Sequence, residues 1–295
     1  MKSELTDKFR IGSNTKTVTS YLASIIVQEG KLNWETTFFD LYPELKNKEN
    51  EAYHHFTLKD YISLRANLNK WTYSNDLPLE KNIKGTDQEQ RYEYVKWVLK
   101  QKLNPEKQTF YFANPSYVIA GLMLEKATGK SYEMLVQELG VEMNINFGFG
   151  QPNKSDSLQT WGHDELLIPE KPGNNQKLNW LSSAGNINVS LPDYAKFIQI
   201  QLKGLKGEST ILSEVEFNNM HYGLPEFSLG WYSNLDESNH KMYSYHKGNP
   251  GTFLTKVYVF KELDLAFLIF MNVQSEEAEK GMNVLLEELN KRYGE

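Results

Sequence analysis

From Thr15 to Glu29 the apolar positions Val18, Leu22, Ile25 and Ile26 recur at intervals of three and four, and Gly30 stops the run. That spacing predicts an amphipathic helix. The short residues Ser20, Ala23 and Ser24 allow close packing, as expected of a central helix. Thr57 to Leu64 reads as a second helix, with Thr57 as cap and Asp60 three residues on completing a capping box. Further helices are predicted over Arg91 to Lys100, Tyr117 to Thr128 closed by Gly129, Tyr132 to Leu139 closed by Gly140, and Asp193 to Leu202. Polar, turn-rich stretches at Lys46 to His55, Asn69 to Asp87 and Gly148 to Asn179 separate them. In the last third the pattern changes. Lys256 to Phe260, led in by Gly251 to Thr255, and Leu265 to Asn272 read as strands around the turn Lys261 to Asp264. Ala278 to Lys291 then returns to helical spacing through Met282, Leu285, Leu286 and Leu289. Helices first, then antiparallel strands and a closing helix, make an α+β pattern and not a βαβ alternation. No repeat or linker divides residues 1–295, so one domain with a helical lobe and a mixed lobe is expected.

Composition narrows the chemistry. The 295 residues contain no cysteine, which excludes a disulfide scaffold, a thiol nucleophile and Cys-containing metal sites. Lys and Arg total 32 against 38 Asp and Glu, and this acidic balance argues against nucleic acid as a partner. The longest apolar run, Leu265 to Met271, is too short to cross a bilayer. Met1 to Arg10 is polar and lacks the apolar region of a secretory leader. A chain whose leader had been removed would read the same, so periplasmic, extracellular and cytoplasmic locations all stay open. His54-His55 has no acidic or histidine companions at ligand spacing. No metal and no cofactor is expected.

Serine becomes a useful nucleophile only when a neighbouring base takes its proton. Ser-x-x-Lys occurs three times, at Ser13/Lys16, Ser238/Lys241 and Ser244/Lys247. The second copy falls in a polar stretch, and the third lies beside a strand, where i and i+3 face opposite ways. Only Ser13/Lys16 opens an apolar helix, where both side chains share a face and backbone N–H groups meet developing negative charge.

The segment FRIGSNTKTVTSYLASIIVQEGKL resembles the nucleophile helix of serine β-lactamase and penicillin-binding-protein-like proteins. The likeness is greater to the class C branch, with its D-alanyl-D-alanine carboxypeptidases, D-aminopeptidases and esterases. FTLKDYISLRANL, FYFANPSYVIAGLMLEKATGK, SAGNINVSLPDY, FSLGWY and YHKGNPGTF resemble further segments of that family in the same order. The resemblance implies a β-lactamase/transpeptidase-like fold. It also implies roles: Ser13 as acylated nucleophile, Lys16 as base, and Asn114 as orienting amide. His246 and Gly248 take the strand-motif positions beside the substrate, and the N–H groups of Ser13 and Asn249 form the oxyanion hole. Strand parity puts His246 and Gly248 on one face, and Gly248 is expected to admit substrate closely. His163 corresponds to a loop near the substrate rim.

Several positions depart from the family pattern. Phe112 stands where a tyrosine hydroxyl is expected, and Tyr111, one residue away, is the candidate substitute. Leu64-Arg65-Ala66-Asn67 replaces a His-x-Ser-Gly loop, and Asn186 replaces a glycine after Gly185. The family's N-terminal helix and first strands do not fit before Ile11. Either the chain is shortened at its start or the sheet is completed differently, and an exposed sheet edge inviting self-association is expected.

The leading reading is a serine acyl-transfer hydrolase acting on an ester, β-lactam or D-amino-acid peptide, with a small-molecule or peptidoglycan-like substrate. The alternative is a catalytically impaired binding or regulatory relative.

Overall fold

A computed structural model describes residues 4–46, 50–71, 78, 83–106, 108–173, 180–236 and 240–294. In chain order the elements are β1 (Lys8–Arg10), α1 (Thr15–Gln28), α2 (Phe38–Leu41), α3 (Leu58–Ile62), α4 (Asp87–Val98), α5 (Asn114–Thr128) and α6 (Tyr132–Met143). There follow β2 (Gly148–Phe149), α7 (Ser182–Gly185), β3 (Ile187–Ser190), α8 (Leu191–Leu205) and α9 (Glu214–Tyr222). The chain closes with β4 (Tyr232–Asp236), β5 (Lys241–Gly248), β6 (Leu254–Phe260), β7 (Leu265–Met271) and α10 (Glu276–Tyr293). The architecture is α+β, as the residue pattern implied.

β4-β5-β6-β7 form an antiparallel sheet in that order. Parity along β7 explains its unbroken apolar sequence. Ala266, Leu268 and Phe270 face the main core, while Leu265, Phe267, Ile269 and Met271 face the side covered by Met282, Leu286 and Leu289 of α10. Among the described residues β7 pairs with β6 alone. A smaller sheet, β1-β3-β2, joins the start of the chain to its middle. Its strands have two to four residues, too few for a period-two signal, and the sequence reading misses it.

α1 runs through the centre of the molecule. All but three of its fourteen residues are buried, and the small side chains predicted to permit close packing do so. Gly230, at φ +89°, brings its loop so near that an added Cβ would collide with Ser20 Oγ. Two predicted boundaries are corrected. α6 continues through Gly140 to Met143 and ends at Asn144, whose φ of +53° supplies the left-handed cap. Gly140 is small for another reason: a Cβ there would meet the Ile145 carbonyl at 2.6 Å. α4 starts at Asp87, four residues early, because Thr86 and Glu89 form a capping box. Within the Lys46 to His55 loop, Glu51–Tyr53 forms a 3-10 turn that buries Tyr53. Ser238 lies outside the described residues. Ser244 and Lys247 lie within β5, the serine buried and the lysine exposed.

Candidate active site

The turn that carries Ser13 is built by packing. Gly12–Asn14 is a 3-10 turn leading into α1. Ile11 is locked from both sides: its N–H donates to the Ile187 carbonyl, and its carbonyl accepts from Thr255 Oγ1. Asn14 Nδ2 donates to the same Thr255 oxygen at 2.7 Å. Gly12 takes φ +50°, and a Cβ there would lie 2.8 Å from the Asn249 nitrogen. Gly248 is demanded by the same contact, since a Cβ would overlap the Ile11 carbonyl. This changes the reason expected for Gly248: its missing side chain makes room for the serine's own turn.

At this turn Ser13, partly exposed, meets Lys16, which is fully buried. Lys16 Nζ lies 3.1 Å from Ser13 Oγ, 2.6 Å from Asn114 Oδ1 and 2.7 Å from the Ala184 carbonyl. Burial holds the lysine well below its usual pKa. A neutral amine has two N–H groups and one lone pair. The two carbonyl oxygens take the two N–H groups, and the lone pair is left for the Ser13 hydroxyl proton. Asn114 is fixed as the first residue of α5, whose next residue, Pro115, is preset for a helical first turn. The Ala184 carbonyl escaped the sequence reading, because a backbone acceptor leaves no residue signal.

A cavity of about 30 Å³, lined by Arg10, Gly12, Ser13, Asn114, Leu181, Gly185, Asn249 and Pro250, opens beside the serine. It has room for about one water-sized group. Asn249 therefore stands beside Ser13, where the resemblance put it. Arg10, in the wall, is buried and paired with Glu170, which also accepts from Thr252 Oγ1.

Phe112 lies against Lys16, whose Nζ is 4.6 Å from its ring centroid. Tyr111 lines an outer cleft together with Phe112, and Lys70 Nζ lies 4.8 Å from its ring. His246 does not line the serine's cavity. It is fully buried among Phe112, Phe227 and Tyr232, with ring centroids 5.5–6.4 Å away. Its Nδ1 donates to the Lys247 carbonyl at 2.9 Å, so Nε2 is the acceptor nitrogen, and that atom is buried without a hydrogen-bond partner. Burial, reinforced by the Lys16 charge, lowers its pKa to about 3, so it is neutral at physiological pH. His163 is tied into the wall by its backbone and by Nδ1, 3.0 Å from the Asn272 carbonyl. That is a loop hydrogen bond.

The altered loop has gained a function in the fold. Leu64 and Asn67 adopt φ of +60° and +51°, and Asn67 tolerates the left-handed backbone that a glycine would otherwise supply. Arg65 Nη1 donates to the Ser63 and Phe227 carbonyls at 3.0 and 2.7 Å, and Nη2 to Pro225 at 3.0 Å. It thus clasps the loop beneath His246.

The sequence model of the beta-lactamase family matches residues 6–291. The chain belongs to the beta-lactamase family. Among curated relatives, protein flp of Staphylococcus aureus (strain N315) is 22% identical over 300 residues, covering 98% of this chain and 57% of the relative. The chain thus spans little more than half the length of that relative. FmtA from Staphylococcus aureus superposes with a TM-score of 0.72 at 19% identity, covering 94% of this chain and 73% of FmtA. A class C beta-lactamase from Rhodobacter sphaeroides gives 0.73 at 15%, covering 95% and 84%. These structures establish the fold, including its likeness to the class C branch. Among the described residues no helix is long and apolar enough to cross a membrane.

Proposed function

We propose that the protein is a serine acyl-transfer hydrolase acting on an ester, β-lactam or D-amino-acid peptide. The observation that carries this reading is the buried Lys16 amine, 3.1 Å from Ser13 Oγ and held by Asn114 and Ala184. Ser13 Oγ bonds to the acyl carbon while its proton passes to Lys16 Nζ. The tetrahedral oxyanion rests on the N–H groups of Ser13 and Asn249. The bond to the leaving group breaks as Lys16 returns the proton to it. Water then adds to the acyl carbon, and Ser13 departs with a proton. A small-molecule or peptidoglycan-like substrate suits this chemistry.

An electrophilic serine probe or activated acyl ester tests it by intact-protein and peptide mass spectrometry. Ser13 should carry the label, S13A should lose it while remaining folded, and K16A should slow it. Labelling that persists in S13A would place the chemistry elsewhere. Phe112 favours one competing reading, a binding relative with lost turnover, because the expected hydroxyl is missing. Failure to acylate across esters, lactams and D-amino-acid peptides would decide for it. Self-association through the β7 edge belongs to the same proposal, and a monomer in sedimentation at high concentration would remove it.

A further inference from the structure

The oxyanion hole proposed for Ser13 is assembled from two ends of the chain. The Ser13 N–H stands three residues after Arg10 of β1, and the Asn249 N–H stands three residues before Thr252, between β5 and β6. Two donors act on one oxyanion only when each lies about 2.7–3.1 Å from it, so the gap between these segments has to be held. At the hole itself they touch: a Cβ on Gly12 would lie 2.8 Å from the Asn249 nitrogen. That contact sets how near the segments can come. It does not stop them from drawing apart.

Glu170 ties them together. Arg10 Nη1 donates to its carboxylate, 3.3 Å from Oε2 and 3.4 Å from Oε1, and Thr252 Oγ1 donates to the same Oε2. The residue is itself anchored. Its N–H donates to the Gly162 carbonyl at 2.8 Å, and its carbonyl accepts from Asn153 Nδ2 at 3.3 Å. The next residue of that turn, His163, donates its N–H to the Thr252 carbonyl at 3.0 Å. Gly162 is required here, because a Cβ would lie 2.4 Å from Thr252 Oγ1 and block the hydroxyl that reaches Glu170. An apolar tie runs alongside, with Phe9 and Phe253 edge to face at 5.9 Å. Ring contacts tolerate sliding, whereas hydrogen bonds on a shared oxygen are directional. Arg10 and Asn249 line the cavity beside Ser13, while Glu170 and Thr252 stand behind that wall.

We propose that Glu170 is a positioning residue for the oxyanion hole: by holding Arg10 and Thr252 on one carboxylate, it fixes the spacing of the Ser13 and Asn249 N–H groups. The proposal rests on the acyl-transfer reading of Ser13 and adds the residue that governs its transition-state geometry.

The test compares p-nitrophenyl acetate with the thiono ester, in which C=S replaces C=O. Sulfur is larger and accepts hydrogen bonds poorly, so a correctly spaced hole favours the oxygen ester. Each acylation rate of Ser13 is divided by the ester's rate with hydroxide, which removes the intrinsic difference in reactivity. A corrected preference for oxygen of about tenfold or more is expected in the parent, since one oxyanion donor contributes about 10²–10³-fold. T252V deletes the hydroxyl, leaves the Arg10–Glu170 pair in place and should bring the preference toward one. T252S keeps the hydroxyl and should retain the preference. E170A, at a partly exposed site that water can fill, should behave as T252V does, with circular dichroism and urea unfolding confirming the fold of each. Equal slowing of both esters in T252V and E170A would show a structural role alone and overturn the assignment, as would parent-like rates in both. A preference near one in the parent, with Ser13 still acylated, removes the two-donor hole and this role of Glu170 while leaving acyl transfer intact. If neither ester acylates Ser13, the acyl-transfer reading falls and takes this assignment with it.

Discussion

Replacing Phe112 by tyrosine adds one oxygen to a ring whose centroid is 4.6 Å from Lys16 Nζ and 6.4 Å from the His246 ring. The Lys16 lone pair is taken by Ser13, but His246 can receive a hydroxyl hydrogen bond through its unpartnered Nε2. A positioned acid–base group contributes about 10²–10⁴-fold in rate, equivalent to about 2.7–5.5 kcal/mol of barrier. The opposing term is burial of an unsatisfied hydroxyl, about 1–3 kcal/mol of stability. With His246 Nε2 available as acceptor, the gain should prevail. F112Y should therefore speed acylation or deacylation for at least one activated ester. Stopped-flow acylation and decay of the acyl-enzyme would be followed in the parent, F112Y, Y111F and F112Y/S13A proteins, with urea unfolding measured separately. The gain should vanish in the double variant. Y111F should produce no gain, because Tyr111 turns toward Lys70. A folded F112Y with unchanged rates would refute the argument, and a large loss in Y111F would transfer the role to Tyr111.

Acylation should rise with pH as Lys16 loses its proton and becomes a base, reaching its plateau well below the usual lysine value of 10.5; a pH–rate profile whose limb sits near 10.5 would contradict a neutral amine. His246, neutral above about pH 3, should add no limb near neutrality to that profile. G248A should destabilise by about 1–3 kcal/mol and weaken labelling of Ser13, because its Cβ overlaps the Ile11 carbonyl; urea unfolding together with probe labelling measures both. R91M strands Glu125, which is fully buried against Arg91, and should cost about 3–5 kcal/mol; a loss under 1 kcal/mol in urea titration would show that the pair is dispensable.

The helices were legible where apolar spacing and caps coincide, as at Val18, Leu22 and Ile26 or at Thr57 and Asp60. Boundaries failed where a glycine served packing instead of termination, as at Gly140. Ser13 and Lys16 stood out because an activated serine needs a base at that spacing, and Asn114 stood out only through the resemblance of its segment to the family's. Other parts of the site could not be read from side-chain identity. The Ala184 carbonyl is backbone. The Arg65 clasp depends on carbonyls 160 and 162 residues away. His246 looks like a cleft residue until its three aromatic neighbours are placed around it. Phe112 was legible as a departure, but which way Tyr111 turns is decided by packing across the chain.

The partners of Lys16 are scattered along the sequence: Asn114 lies 98 residues on and Ala184 168 residues on, and Asn249, in the cavity wall with Ser13, lies further still. Ser13 is made before all of these, and its turn is complete only once β5 has docked, with Gly248 against the Ile11 carbonyl. On the proposed acyl-transfer reading, an unfinished or partly unfolded chain carries Ser13 without its base environment and should not react with acyl donors. Reactivity of Ser13 becomes a readout of completed folding, and on heating it should disappear together with the global transition and not ahead of it.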